Sequence, residues 1–347
     1  MLYRFKIKPE SPVITPLMSD TFFGHFCWAL LYAEGENFLE KFLQSFGNGQ
    51  TAPVLFSSAF PEGCLPRPAL SPCPRRFISE LVQKYYGEDT ASFFKGMSDV
   101  KQFSKNPFIS LDHWQTLSGN YSEAGLMELF IKEKDVPAKD GPFSEVSACN
   151  VINRITGKVP ETGGGLFSRE KTWMPKNAAL DLYVEVNDSE VWKHLEWFLI
   201  EYLPANGFGA DKSVGMGCLK IHRDMGFDPD LLTVKSPNAG LCLSLTAFPG
   251  MGEYTAYYRL KTKFGRLGGD FAVTSPTGVQ TRPFKKPIIM YETGAVILGE
   301  TTFSQQPLLS DVHSDQRIRH CGIPVILPFH IDEGGNYDSQ APHALPG

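Results

Sequence analysis

The sequence predicts an α+β protein, and three observations carry that expectation. Leu2–Lys8 alternates as a strand and is followed by an apolar stripe at helical spacing. The same strand-then-helix order returns at Leu180–Leu203, and a glycine-rich run, Asn206–Gly217, then leads into another apolar segment. Strand–helix units at both ends of a long middle segment are the pattern of a ferredoxin-like βαββαβ domain with an elaborated middle hairpin.

The first strand sets Leu2, Phe5 and Ile7 against Arg4, Lys6 and Lys8, and Pro9–Pro16 reads as a loop. Ser19 is the expected N-cap of the first helix, with Asp20 in its first turn. The helix stripe is Phe22, Phe23, Phe26, Cys27, Leu30 and Leu31. Pro53–Phe60 reads as a strand, and Leu65–Leu70, with its two prolines, as an extended turn. Residues 75–148 read as a mainly helical insertion: Phe77–Tyr86, Thr90–Phe94 and a segment starting at Ser122. Two strand-like arms, 149–156 and 166–173, flank a Gly/Pro-rich tip and predict a long hairpin over about 149–174. Ser189 is the expected cap of a helix with the stripe Val191, Trp192, Leu195, Phe198, Leu199 and Tyr202, and 217–223 is the closing strand. These elements make up a first domain, 1–227. A polar linker, Asp228–Asn238, leads to a second domain at 238–332. There Leu241–Leu245 and Tyr254–Lys263 read as strands, and 333–347 is a polar tail.

Hydrophobic residues are 42% of the 347 and charged residues 20%, which is a globular balance. The chain has no run of eighteen apolar residues, and its amino-terminal stretch lacks a signal-peptide core. The seven cysteines are scattered without a C-x-x-C pair, so neither a disulfide framework nor a zinc site is indicated. A cytoplasmic protein with reduced thiols and no membrane association is expected. The formal net charge of −5 is unfavourable for a whole-surface grip on nucleic acid, so any such contact has to be local.

Three stretches could supply one. In Asn206–Gly217, four glycines with Lys212 and Ser213 could form an amide nest for phosphate, or merely a tight connector. The run has neither Walker order nor the strand–loop–helix order of a dinucleotide fingerprint. In the hairpin, Arg154–Lys176 holds five basic residues against Glu161 and Glu170, a local charge of +3. Ile155, Leu166 and Phe167 could wedge between bases while Arg154, Lys158 and Arg169 hold phosphates. Between Ala256 and Lys286 only Asp270 opposes Arg259, Lys261, Lys263, Arg266, Arg282, Lys285 and Lys286, a local charge of +6.

The loop order G-x-G-x-x-x-S-x-G-x-G at Gly207–Gly217 resembles the signature of the RAMP superfamily, RNA-binding proteins of CRISPR systems. Ser19-Asp20-Thr21-Phe22-Phe23-Gly24, Leu65–Leu70, Asn153–Gly157 with Gly164–Phe167, Lys285–Ile297 and His320–Phe329 resemble, in that order, segments of the Csm-type subunit that binds the CRISPR RNA 5′ handle in type III-A effector complexes. The resemblance implies two ferredoxin-like (RRM-like) domains and a thumb-like hairpin. It also implies RNA contact by Ser19, Arg154, Thr156, Lys158, Phe167, Gly207, Gly209, Lys212, Ser213, Gly215 and Gly217, with the second-domain residues Arg259, Lys261, Lys285 and Lys286. The implied partners are the 5′ handle of CRISPR RNA, the large polymerase-like subunit and the backbone subunit. No catalysis, cofactor or metal is implied. The alternative within the superfamily is a metal-independent endoribonuclease, for which His25 would be the acid–base residue; its spacing fixes no partner.

Overall fold

The structure, a computed structural model, describes residues 1–47, 49–134, 141–159, 165–247, 254–272, 283–299 and 305–332. Glu161, Gly163 and Gly164 of the hairpin tip, Arg282 and the tail 333–347 lie outside them. Strand β1 (Leu2–Pro9) leads to helix α1 (Ser19–Glu34), which breaks at Gly35 (φ 87°) into α2 (Glu36–Gln44). Next come β2 (Val54–Pro61) and β3 (Cys64–Pro66). The insertion holds α3 (Arg75–Tyr86), α4 (Thr90–Ser104), β4 (Phe108–Ser110), α5 (Leu111–Leu117) and α6 (Glu123–Glu133). The hairpin is β5 (Phe143–Asn150) and β6 (Leu166–Trp173). It is followed by β7 (Leu180–Val186), α7 (Ser189–Trp197), a π-helical turn Phe198–Tyr202, α8 (Leu203–Asn206) and β8 (Leu219–Arg223).

The first sheet has the order β2-β7-β1-β8, with every pair of neighbours antiparallel. Two split β-α-β units interleaved in this way are the ferredoxin-like topology that the sequence predicts for the first part. The alternation explains it: Phe5 and Ile7 of β1 pair with Leu182 and Leu180 and are fully buried, and Phe22, Phe26, Phe56 and Phe198 pack together beside them.

The opposite face of this sheet carries Arg4, Lys6, Asp181 and Tyr183, and it too is covered. The Arg4 guanidinium donates to Asp224 at 2.9 Å, and the Lys6 ammonium sits 2.8 Å from Asp181 and 2.9 Å from Glu62. Phe60 meets Phe108 of the insertion, and Tyr183 meets Phe227. The sheet therefore offers no open platform on which bases could stack.

The second part departs from expectation. Its described residues hold the strands β9 (Ala239–Cys242), β10 (Thr246–Ala247), β11 (Thr255–Tyr257), β12 (Leu260–Lys263), β13 (Ile288–Tyr291), β14 (Val296–Leu298) and β15 (Ile326–Phe329), but no α-helix. They form two antiparallel sheets, β11-β14-β9-β15 and β10-β13-β12, so a second βαββαβ unit is not what these residues build. The Tyr254–Lys263 alternation is split between the two sheets, with Tyr258, stacked on Tyr291 at 4.2 Å, at the break.

The two parts also share one core, which runs from Phe5 and Phe22 through Leu241, Leu243, Val325 and Phe329. The seam is polar and buried. A bulge at Ser57–Ser58 shifts the β2 register between Phe56 and Ala59. There the Ser244 hydroxyl donates to the Phe56 carbonyl (2.8 Å) and accepts from the Val325 amide (2.9 Å), while the Ser58 amide donates to the Leu243 carbonyl (2.9 Å). Such groups are stable away from water only because each is bonded.

Candidate nucleic-acid interface

The hairpin begins earlier than its composition suggests. Its first arm is Phe143–Asn150, paired in register from Phe143↔Trp173 to Asn150↔Leu166. Residues 151–159 therefore belong to the tip, where the Asn153 carboxamide oxygen accepts the amides of Ile155 (2.9 Å) and Thr156 (3.3 Å) and folds a turn. Arg154, Thr156 and Lys158 are all exposed on it. Ile155 is 96% exposed and Leu166 75%, and Arg169 lies over the Phe167 ring at 5.1 Å. A tip whose Ile155 and Leu166 stand largely exposed, flanked by cations, has the composition needed to enter between unstacked bases.

The hairpin is held at its base. Val13 and Thr172 exchange backbone hydrogen bonds of 3.0 and 2.8 Å. Arg169 forms an ion pair with Asp211 of the glycine-rich loop, which joins the two motifs into one corner of the molecule.

Most of the loop amides are spent on closing the loop itself. The amides of Gly207, Phe208, Gly209, Ala210, Val214, Gly215, Met216 and Gly217 all donate within the protein. Phe208 is fully buried against Phe22 (4.9 Å) and the His25 ring (4.9 Å). The glycines are needed for closure. A Cβ on Gly217 (φ 68°) would overlap the Phe208 carbonyl, and one on Gly209 (φ 77°) would lie 2.5 Å from Thr15 Cβ. Gly207 and Gly217 are buried, so the expected RNA contact through them is corrected to a structural role. Lys212, Ser213 and Gly215 form the exposed crest, and a Cβ on Gly215 would meet only open space.

His25 fastens this loop: its Nε2 accepts the Gly209 amide at 3.0 Å. Burial, and next the charge of Lys212, push its pKa down to about 4, so the ring is neutral and engaged. Periodicity alone could not find this contact; the signal available was a histidine one turn into a helix with a glycine-rich loop elsewhere in the chain.

Ser19 is corrected on two counts. Met18 occupies the N-cap position, and the buried Ser19 hydroxyl accepts the Leu245 amide at 3.0 Å while its own amide donates to Ser58 Oγ. It belongs to the seam and faces no solvent.

Part of the basic run of the second part is engaged within the protein. Lys263 donates to Asp20 (3.0 Å) and Lys286 to Asp311 (2.7 Å). Lys285 donates to the Arg319 carbonyl (2.7 Å) beside His320, and burial lowers its pKa to about 8, so its expected RNA contact is corrected. Arg259 and Lys261 line a cleft of about 250 Å³ between the two parts, together with Arg67, Glu292, Phe60 and Leu245. Among the described residues, no cluster of His, Cys, Asp and Glu could hold a metal ion, and no helix is long and apolar enough to cross a membrane.

No protein-family model and no curated protein matches the chain. Among solved structures, the chain is similar to one in a crystal structure of a Csm1–Csm4 cassette in complex with AMPPNP (TM-score 0.52, 13% identity, 96% of this chain and 100% of that one). Crystal structures of a Csm1–Csm4 cassette with cA4 (TM-score 0.51) and with pppApA (TM-score 0.50) match at the same identity and coverage. At that identity the likeness concerns the fold, and it extends over nearly the whole chain.

Proposed function

We propose that this chain is a non-catalytic RNA-binding subunit of a type III CRISPR effector complex, of type III-A. It holds the 5′ handle of the guide RNA and sits between a large polymerase-like subunit and the backbone subunit. The observation that carries the reading is the hairpin β5–β6, with its unburied aliphatic tip and the cations Arg154 and Lys158, locked by Arg169–Asp211 to the Lys212–Ser213 crest. The fold likeness to chains of a two-protein cassette supports the setting. Ile155 and Leu166 enter between two nucleotides, and Arg154, Lys158 and Lys212 hold the flanking phosphates. Net charge −5 confines that grip to this corner. The engagement of His25 as a neutral acceptor favours this reading over the endoribonuclease, whose acid–base residue would have to exchange a proton.

The test is filter binding of a labelled guide RNA to the full chain and to the triple variant Arg154→Ala/Lys158→Ala/Lys212→Ala. Loss of most of the affinity is expected; unchanged affinity overturns the proposal. Specific shortening of the RNA, abolished by His25→Gln, would establish the catalytic alternative instead.

A further inference from the structure

Strand β12 has two dissimilar faces and one open edge. It is the last strand of β10-β13-β12 among the described residues. The Glu292 amide donates to the Arg259 carbonyl at 2.9 Å, so in an antiparallel ladder the amides and carbonyls of Leu260 and Thr262 point away from β13, to the open side. One face of the strand is apolar and bare. Leu260 is 56% exposed and Phe264 67%, with Tyr258 beside them and Ile289 of β13 52% exposed. The other face carries Arg259, Lys261 and Lys263. Lys263 is taken by Asp20, and Lys261 lies 3.9 Å from Glu292. Exposed Arg259 has no carboxylate within ion-pair reach among the described residues.

The geometry points to β12 as a docking edge for a strand of another protein, one that alternates apolar and acidic side chains. An incoming strand satisfies the outward backbone groups of Leu260 and Thr262, which neither an apolar helix nor a nucleic acid does. Its apolar residues extend the Tyr258–Leu260–Phe264 face, which Thr262 and Ile289 share and on which the strand places no cation to receive a phosphate. Its acidic residues fall on the opposite face, beside Arg259 and Lys261. A second copy of this chain fits badly, because pairing β12 with itself would gather two sets of Arg259, Lys261 and Lys263 on one face. An unprotected edge of this kind otherwise invites aggregation. The inference is independent of the RNA reading, which uses the hairpin and the loop crest.

The experiment titrates the full chain with a fluorescein-labelled peptide of alternating Val and Glu, about eight residues long to match a strand. Anisotropy is followed together with amide hydrogen exchange. Saturable binding with new protection at 260–263 is expected. A peptide with Lys in place of Glu should bind at least about tenfold more weakly. Thr262→Pro should abolish binding while leaving thermal stability almost unchanged, because the amide it removes faces the open side, where proline is tolerated. Full binding by Thr262→Pro, equal binding of the Lys peptide, or no binding of the Glu peptide overturns the proposal. So does protection of 260–263 by single-stranded RNA alone, or by self-association of the chain.

Discussion

The Nε2 of His25, in the second turn of α1, accepts the backbone amide of Gly209 at 3.0 Å. The bond needs a neutral ring, so the loop and the first helix share a proton-dependent fastening. The pKa of His25 is depressed from 6.5 to about 4 by burial, with Lys212 adding to the effect. A base with a lower pKa folded than unfolded binds fewer protons when folded, so stability rises with pH between those two values. The contribution is full above pH 6.5, on the order of 3 kcal/mol, and is lost as pH falls toward 4. Thermal melts of the wild-type chain should therefore fall more steeply over pH 6.5–4 than those of His25→Gln, which keeps an acceptor for Gly209 but does not titrate. His320, which burial lowers to about 3, leaves a residual slope in both. Parallel profiles would show that His25 is not buried neutral.

The glycines of the loop should separate sharply by cost. Gly217→Ala sets a Cβ against the Phe208 carbonyl at a positive φ and should destabilise by about 3 kcal/mol or more in urea melts. Gly215→Ala meets open space and bears only the cost of its φ, about 1 kcal/mol. Equal costs would contradict the closed-loop geometry.

The Arg169–Asp211 pair is partly exposed, so its coupling in a double-mutant cycle should be modest, about 0.5–1 kcal/mol. Its larger effect is on order. Arg169→Glu should raise proteolytic sensitivity at the hairpin base, and the swap Arg169→Glu/Asp211→Arg should restore resistance. No difference among the three would mean that the backbone bonds between Val13 and Thr172 hold the hairpin alone.

Salt dependence distinguishes exposed from buried cations. Each phosphate contact removed from a single strand should reduce the magnitude of the log–log salt slope by about 0.7. Arg154→Ala and Lys212→Ala should each do so in binding isotherms. Lys285→Met should not, because its ammonium points at the Arg319 carbonyl. A shallower slope for Lys285→Met would contradict that burial.

The elements of the first sheet were legible because their apolar residues alternate or recur without interruption, as in Leu2–Pro9, Leu180–Val186 and the Phe22–Phe26 stripe. The first arm of the hairpin was not. Phe143–Asn150 stands off the body with both faces largely exposed, so no burial pattern marks it. The strands of the second part are two to four residues long, too short to establish a period, and tertiary pairing alone assigns them to sheets. Among the candidate contacts, residue type could not separate the exposed Lys212 from the half-buried, internally bonded Lys285, nor the exposed Ser213 from Ser19 in the seam. What separates them is the partner each finds far along the chain. Ser57 and Ser58, two hydroxyls inside an otherwise apolar strand, were the available sign of that seam.

The bulge in β2 also determines how the protein can be dismantled. Phe329 of the final strand lies against Trp114 and Tyr121 of the middle insertion, while Ser244 reaches back to Phe56. Cutting the chain near residue 230 would strip an aromatic wall from one fragment and leave the other without a floor. Neither piece is a candidate for separate expression, and any assembly that recruits this polypeptide receives it whole.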